Sequence, residues 1–159
     1  MTDAERTHLD DTLAHIRKVQ GYLHDVVGRL LGRARVHDRT KLEEPEFSSF
    51  AEVSARLNEV EYGSDEYQGL LDELESALDH HYAHTAHHPE SIGGGIQGMG
   101  LVALTEMLCD WKAASERHED GSIRDSIEKN QERFEYGDEL KGVLHNTAQR
   151  LFPDEYTDE

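Results

Sequence analysis

From about Ala4 to Arg35 the apolar residues Leu9, Leu13, Ile16, Val19, Leu23, Val27, Leu30 and Ala34 recur at steps of three and four. That is the period of one helix face, and over such a length it demands a long amphipathic α-helix. The same stepping returns along the rest of the chain, whereas sustained strand alternation does not occur. The fold class is therefore all-α, a helical bundle of about six helices, read as one domain over residues 1–159 with a core from about 9 to 151.

A second helix is expected from Glu44 to Leu57, with Pro45 in its first turn and Phe47, Phe50, Val53 or Ser54, and Leu57 facing inward. A capped loop over Glu61–Asp65 leads to a third, on which Tyr67, Leu71, Leu74, Leu78 and His81 share the buried side. If that helix persists, His84 and His88 extend the line of imidazoles. Gly93–Gly100 reads as a mobile loop; no Lys-Ser/Thr follows it, so it is not a phosphate-binding P-loop. The fourth helix, Leu101 to about Arg117, is expected to bury Leu101, Leu104, Leu108, Trp111 and Ala114. A break at Glu119–Ser122 caps a fifth with Ile123, Ile127 and Phe134, and Tyr136–Asp138 opens a sixth with Leu140, Val143, Leu144, Ala148 and Leu151. The acidic tail 152–159 is expected to fray.

Composition narrows the function. Sixteen basic against thirty-four acidic side chains give a formal charge of −18, which repels duplex nucleic acid. No apolar run approaches the ~20 residues of a membrane span, and the first residues lack the character of a signal peptide, so a cytoplasmic protein is expected. The one cysteine, Cys109, excludes an internal disulfide and a cysteine-based zinc cluster, and reads as a small core residue. Eleven histidines, spread through the chain, need another reason. Surface polarity covers His8, His118 and His145; metal ligation is the sharper reading of the rest.

The stretch V-H-D-R-T-K-L-E-E-P-E anchors that reading. His37 and Asp38 offer an imidazole nitrogen and a carboxylate oxygen side by side, suited to a borderline or hard dication. Lys41, three residues on, is near enough to meet an anion there. His15 borders the apolar stripe of the first helix and is the candidate ligand from that element, with His24 in reserve. Asp110, beside Trp111 and one turn from Glu106, is costly to bury unless it is paired or coordinates a cation. Glu43, Glu44 and Glu46 favour a helix start electrostatically. The alternative is that one of them, with Glu44 singled out, orients a ligating histidine, as Glu90 and Glu106 are also placed to do.

His15, then His37-Asp38, then Asp110 resembles the H…HD…D pattern of the HD-domain superfamily of metal-dependent phosphohydrolases, whose members are helical. The resemblance implies that these four side chains hold one metal. H-D-R-T-K further resembles the H-D-x-x-K run of the HD-GYP subgroup, in which later histidines bind further metals; His81 and H-H-P-E at His87–Glu90 fall in a similar order. Pro89 inside that segment and the lack of a Gly-Tyr-Pro depart from the subgroup, so cyclic-dinucleotide hydrolysis is not implied. D-H-H-Y-A-H-T-A-H-H-P-E, M-L-C-D-W-K-A and S-I-E-K-N-Q-E-R-F are similar to a family of uncharacterised bacterial and phage proteins.

The resulting expectation is a metal-dependent phosphohydrolase acting on a small phosphate ester, with a nucleotide favoured by the resemblance. Asp38, Lys41 and His81 are its catalytic candidates. Its cofactor is a divalent ion, Mn, Fe, Co, Ni or Zn, with His81, His87 and His88 available for a second. The alternative is a non-enzymatic, metal-stabilised helical protein that acts by interaction or inhibition. A helical nucleotide pyrophosphohydrolase of the MazG kind lacks its paired glutamates here.

Overall fold

The computed structural model describes residues 1–57, 59–60, 64–117 and 120–157. They are all-α: seven α-helices joined by turns and short 3-10 segments, with no strand among the described residues. No helix among them is long and apolar enough to cross a membrane. The chain divides into two compact units, residues 1–36 and 37–159.

The first unit is α1, Asp3–Val36, a single helix of 34 residues. Its start is fixed by a reciprocal cap, in which Glu5 N–H donates to the Thr2 hydroxyl at 3.2 Å and Thr2 N–H donates to the Glu5 carboxylate at 2.6 Å. Acidic residues fill the first turn and arginines the last, matching the helix dipole. No residue of α1 is buried.

The second unit holds six helices: α2 (Glu46–Leu57), α3 (Asp65–Glu73), α4 (Glu75–His84), α5 (Leu101–Ser115), α6 (Ile123–Phe134) and α7 (Asp138–Leu151). The expected third helix is thus two, divided at Leu74; Leu74 and His81 are buried as expected, while Leu71 is half-buried and its neighbour Leu70 is buried instead. Serines cap as anticipated: Ser64 accepts from Tyr67 N–H at 3.1 Å, and Ser122 from Arg124 N–H at 3.0 Å. Residues 61–63 and 118–119 of the two expected loops, His118 among them, lie outside the described residues.

Two apolar clusters hold this unit together. Val53, Leu70 and Leu74 form the smaller one, with Phe50, Leu57 and Leu78 against it. The larger gathers Met107, Leu108, Ile123, Ile127, Tyr136, Leu144 and Ala148 under Trp111 and Phe134. Those two rings stack in near-parallel planes at 6.2 Å, and the Tyr136 hydroxyl donates to the Ile127 carbonyl at 2.6 Å.

Periodicity placed some apolar residues on the wrong side. Phe47, Leu101, Val143 and Leu151 are more than half exposed, Ala114 is exposed, and Cys109 is exposed rather than in the core. Pro45 precedes α2 instead of entering its first turn. The Gly93–Gly100 stretch is partly structured: Gly95–Gly98 make a 3-10 turn that buries Ile96. A Cβ on Gly98 would meet the Gly93 carbonyl oxygen at 2.6 Å, so a side chain there has no room. Nor is the whole tail frayed, because Pro153–Tyr156 form a 3-10 turn in which Glu155 accepts from Lys112 Nζ at 2.7 Å.

Candidate metal centre

Several regions of the second unit bring polar side chains together. His37 and Asp38 open it; Asp38 is left-handed at φ 53°, a conformation aspartate tolerates better than most residues. The 3-10 turn Arg39–Leu42 follows and supplies Thr40 and Lys41. Helix α4 supplies His80 and His81, the segment after it His87 and His88, and α5 adds Glu106 and Asp110.

Two glutamates decide which nitrogens face inward. Glu46, at the start of α2 and 0% exposed, accepts from His81 Nδ1 at 3.0 Å, His80 Nδ1 at 2.7 Å and the Thr40 hydroxyl at 2.9 Å. Burial opposes its charge, but these partners outweigh burial and hold the carboxyl below its usual range. Glu106 Oε1 lies 3.1 Å from His37 Nδ1 and 3.3 Å from His87 Nδ1. A carboxylate only accepts, so Nδ1 is the donor towards Glu46 or Glu106 and Nε2 is the ring nitrogen that His37, His81 and His87 turn towards Asp38.

Those Nε2 atoms converge on Asp38. Its Oδ1 is 3.3 Å from His81 Nε2 and 3.4 Å from His87 Nε2, and His81 Nε2 is 3.1 Å from His88 Nε2. Its Oδ2 accepts from Lys41 Nζ at 2.6 Å and faces His37 Nε2 at 3.8 Å, while His37 Nε2 lies 3.6 Å from Asp110 Oδ1. Burial would raise the Asp38 carboxyl, yet the neighbouring His81 and His87 rings and the Lys41 charge overcome it and hold the group well below the carboxylate range. Burial first, then the His87 and His81 rings, push His88 down to about 3, so it is a neutral imidazole at pH 7.

The fit to a cation rests on two atoms. Asp38 Oδ1 and His87 Nε2 are buried and make no hydrogen bond, although they face polar neighbours. A buried carboxylate oxygen beside a buried imidazole nitrogen, neither of them hydrogen-bonded, is costly, and a metal bound by both removes the two costs at once. Bonds of about 2.0–2.2 Å set ligand atoms roughly 3.0–3.5 Å apart, the range seen around Asp38 Oδ1. Two groups of ligand atoms share the Asp38 carboxylate: Asp38, His81, His87 and His88, and Asp38, His37 and Asp110. The first includes the almost fully buried His81 and His87; in the second the side chains of His37, Asp38 and Asp110 are 31%, 24% and 26% exposed.

Compared with known families, residues 4–154 match the model described as "Family of unknown function (DUF5662)". The chain belongs to that family. No curated protein and no solved structure matches it.

For this DUF5662 chain the structure brings together most, though not all, of the residues singled out in the sequence. His37, Asp38, His81, His87, His88 and Asp110 gather as described, with Lys41 on Asp38 and Glu106 behind two of the rings. His15 and the reserve His24 are exposed on α1, in the other unit, and each group of convergent ligand atoms is built from the second unit alone. Glu44 is exposed and accepts from the Ser48 hydroxyl at 2.5 Å, and Glu90 pairs with Arg133 at 2.6 Å; neither holds a histidine in the described contacts. The carboxylate that orients His81 is Glu46. Helix α4 ends at His84, so His88 arrives by the following segment, and the His84 ring stacks on His80 at 4.2 Å outside the convergent groups. Thr40 and His80 carried no sequence signal, since both act through Glu46. His145 bonds Tyr156 and Glu128, each at 2.9 Å.

Proposed function

We propose that the protein is a metal-dependent phosphohydrolase acting on a small phosphate ester, in the manner of HD-domain enzymes, with a nucleotide as the favoured substrate and the cytoplasm as its place of action. The observation that carries the reading is the convergence of the His81, His87 and His88 rings on the unsatisfied Asp38 Oδ1. Asp38, His81, His87 and His88 would hold one dication, Mn, Fe, Co, Ni or Zn, and Asp38 with His37 and Asp110 would hold a second. A bound dication supplies Lewis acidity, lowering the pKa of water from about 15.7 toward about 7 and offsetting charge at phosphorus.

The chain's own residues account for the rest. Lys41, 34% exposed and joined to Asp38, is placed to leave that partner for an anionic phosphoryl oxygen. Glu46 and Glu106 keep the imidazoles in one tautomer and one orientation. The partly exposed side formed by His37 and Asp110 offers the approach for substrate.

Elemental analysis of purified protein, followed by hydrolysis assays on a panel of phosphate esters, tests the proposal. Bound transition metal and turnover that disappears in Asp38→Ala, with helicity retained, are the expected results. The deep burial of His81 and His87 favours one other reading, a cation that only stabilises the bundle. Metal-loaded protein that hydrolyses no ester and unfolds on chelation would select it.

A further inference from the structure

Helix α1 exposes an apolar face along most of its length: Leu9, Leu13, Ile16, Val19, Leu23, Val26, Val27 and Leu31 are 38% to 60% exposed. A contiguous patch of large side chains on that scale marks an interaction surface. The pattern says what covers it. From Leu9 to Ala34 the seam runs at strictly alternating steps of four and three, and only Gln20 is polar among its positions. A strict seven-residue repeat drifts on a straight helix and stays aligned only against another helix around which it supercoils.

Charge identifies that second helix. The first third of α1 carries Asp3, Glu5, Asp10 and Asp11 against Arg6, and the last third carries Arg29, Arg33 and Arg35 with no acidic residue. We propose that the apolar face of α1 is covered by α1 of a second copy of this chain, running antiparallel. With Gln20 level with Leu23 of the other copy, Leu13 meets Leu30, Ile16 meets Val27 and Leu9 meets Ala34, so every seam position finds its counterpart. Val19 then flanks Val26 of the other copy, and the acidic first third of one helix runs beside the basic last third of the other. A parallel pair would instead set acidic end on acidic end and basic on basic, with the helix dipoles aligned unfavourably.

Sedimentation of the full chain tests the association. A two-chain mass is expected at micromolar concentration, with Leu23→Asp/Val27→Asp giving a one-chain mass at unchanged metal content. Orientation is read by cross-linking in a Cys109→Ser background. Leu13→Cys and Leu30→Cys chains, prepared separately, should form a disulfide dimer only when mixed, because Leu13 of the two copies would lie about 25 Å apart. A one-chain mass for the unaltered protein, or a cross-link formed by Leu13→Cys alone, would overturn the proposal. Neither result bears on phosphate-ester hydrolysis, which is measured separately.

Discussion

At the scale of single residues, the candidate site is governed less by its ligands than by the carboxylates behind them. Glu46 accepts from two imidazoles, and Glu106 accepts from His37 Nδ1 and stands 3.3 Å from His87 Nδ1, so neutralising either loosens two rings. Glu46→Gln is expected to weaken metal binding about 10- to 100-fold, the usual cost of losing such a partner. Glu46→Asp, which keeps the charge and shortens the reach, should recover some of it. Isothermal titration of metal into each variant checks this, and equal affinity in Glu46→Gln would show that the carboxylate only fills space. His88 gives a pH dependence to the metal-free protein. Its folded pKa of about 3 lies below the ordinary 6.5, so between those values the unfolded chain binds the extra proton and the folded chain does not. Stability contributed by neutral His88 is therefore complete above about pH 6.5 and is lost as pH falls toward 3. Denaturant midpoints of chelated protein between pH 7 and 4 should fall, and fall less steeply in His88→Gln. The lowered Asp38 carboxyl acts in the same direction, at the acid end of the window.

At the scale of elements, helix identity was legible and helix boundaries were legible wherever a cap marked them. Ser64 and Ser122 announced α3 and α6 because a short hydroxyl side chain can satisfy free amides only at a helix start. The break at Leu74 left no such mark: apolar steps of three and four continue through it, and one residue with φ −91° and ψ −2° suffices to separate α3 from α4. Periodicity also overstated burial, since it reports one face of a helix and not whether another element covers it; Leu101 and Val143 satisfy the pattern and are exposed. The same limit applied to the site. His37-Asp38, His81 and His87-His88 stood out as chemistry-bearing residue types, but the choice of Glu46 over Glu44 depends on the left-handed turn at Asp38 and the 3-10 turn after it, which no spacing encodes. Packing between elements predicts a separable effect. Ile127, 0% exposed in the larger apolar cluster, should cost about 2–5 kcal/mol when truncated to alanine. Because none of the metal groups includes a residue of α6, metal content per folded protein should be unchanged; its loss in parallel with stability would show that the site and this cluster unfold as one.

Across the whole molecule, a formal charge of −18 acts on folding and on metal capture in opposite senses. Like charges brought together by folding repel, so the metal-free protein is held below the stability its core would give. The same field concentrates dications around the surface and favours their entry to a site already lined by Asp38 and Asp110. Added monovalent salt shortens the screening length from about 30 Å at 0.01 M to about 3 Å at 1 M, which weakens both effects. Raising sodium chloride from low to high concentration should therefore increase the denaturation midpoint of chelated protein while lowering its affinity for added metal. The stabilisation conferred by a fixed metal concentration follows from that affinity through mass action and should shrink as salt rises, so the melting curves of metal-free and metal-loaded protein should draw together. Thermal unfolding with and without metal across a salt series measures both arms at once. Were metal protection independent of salt while the metal-free midpoint still rose, capture would depend on the local ligands alone and the acidic surface would play no role in it.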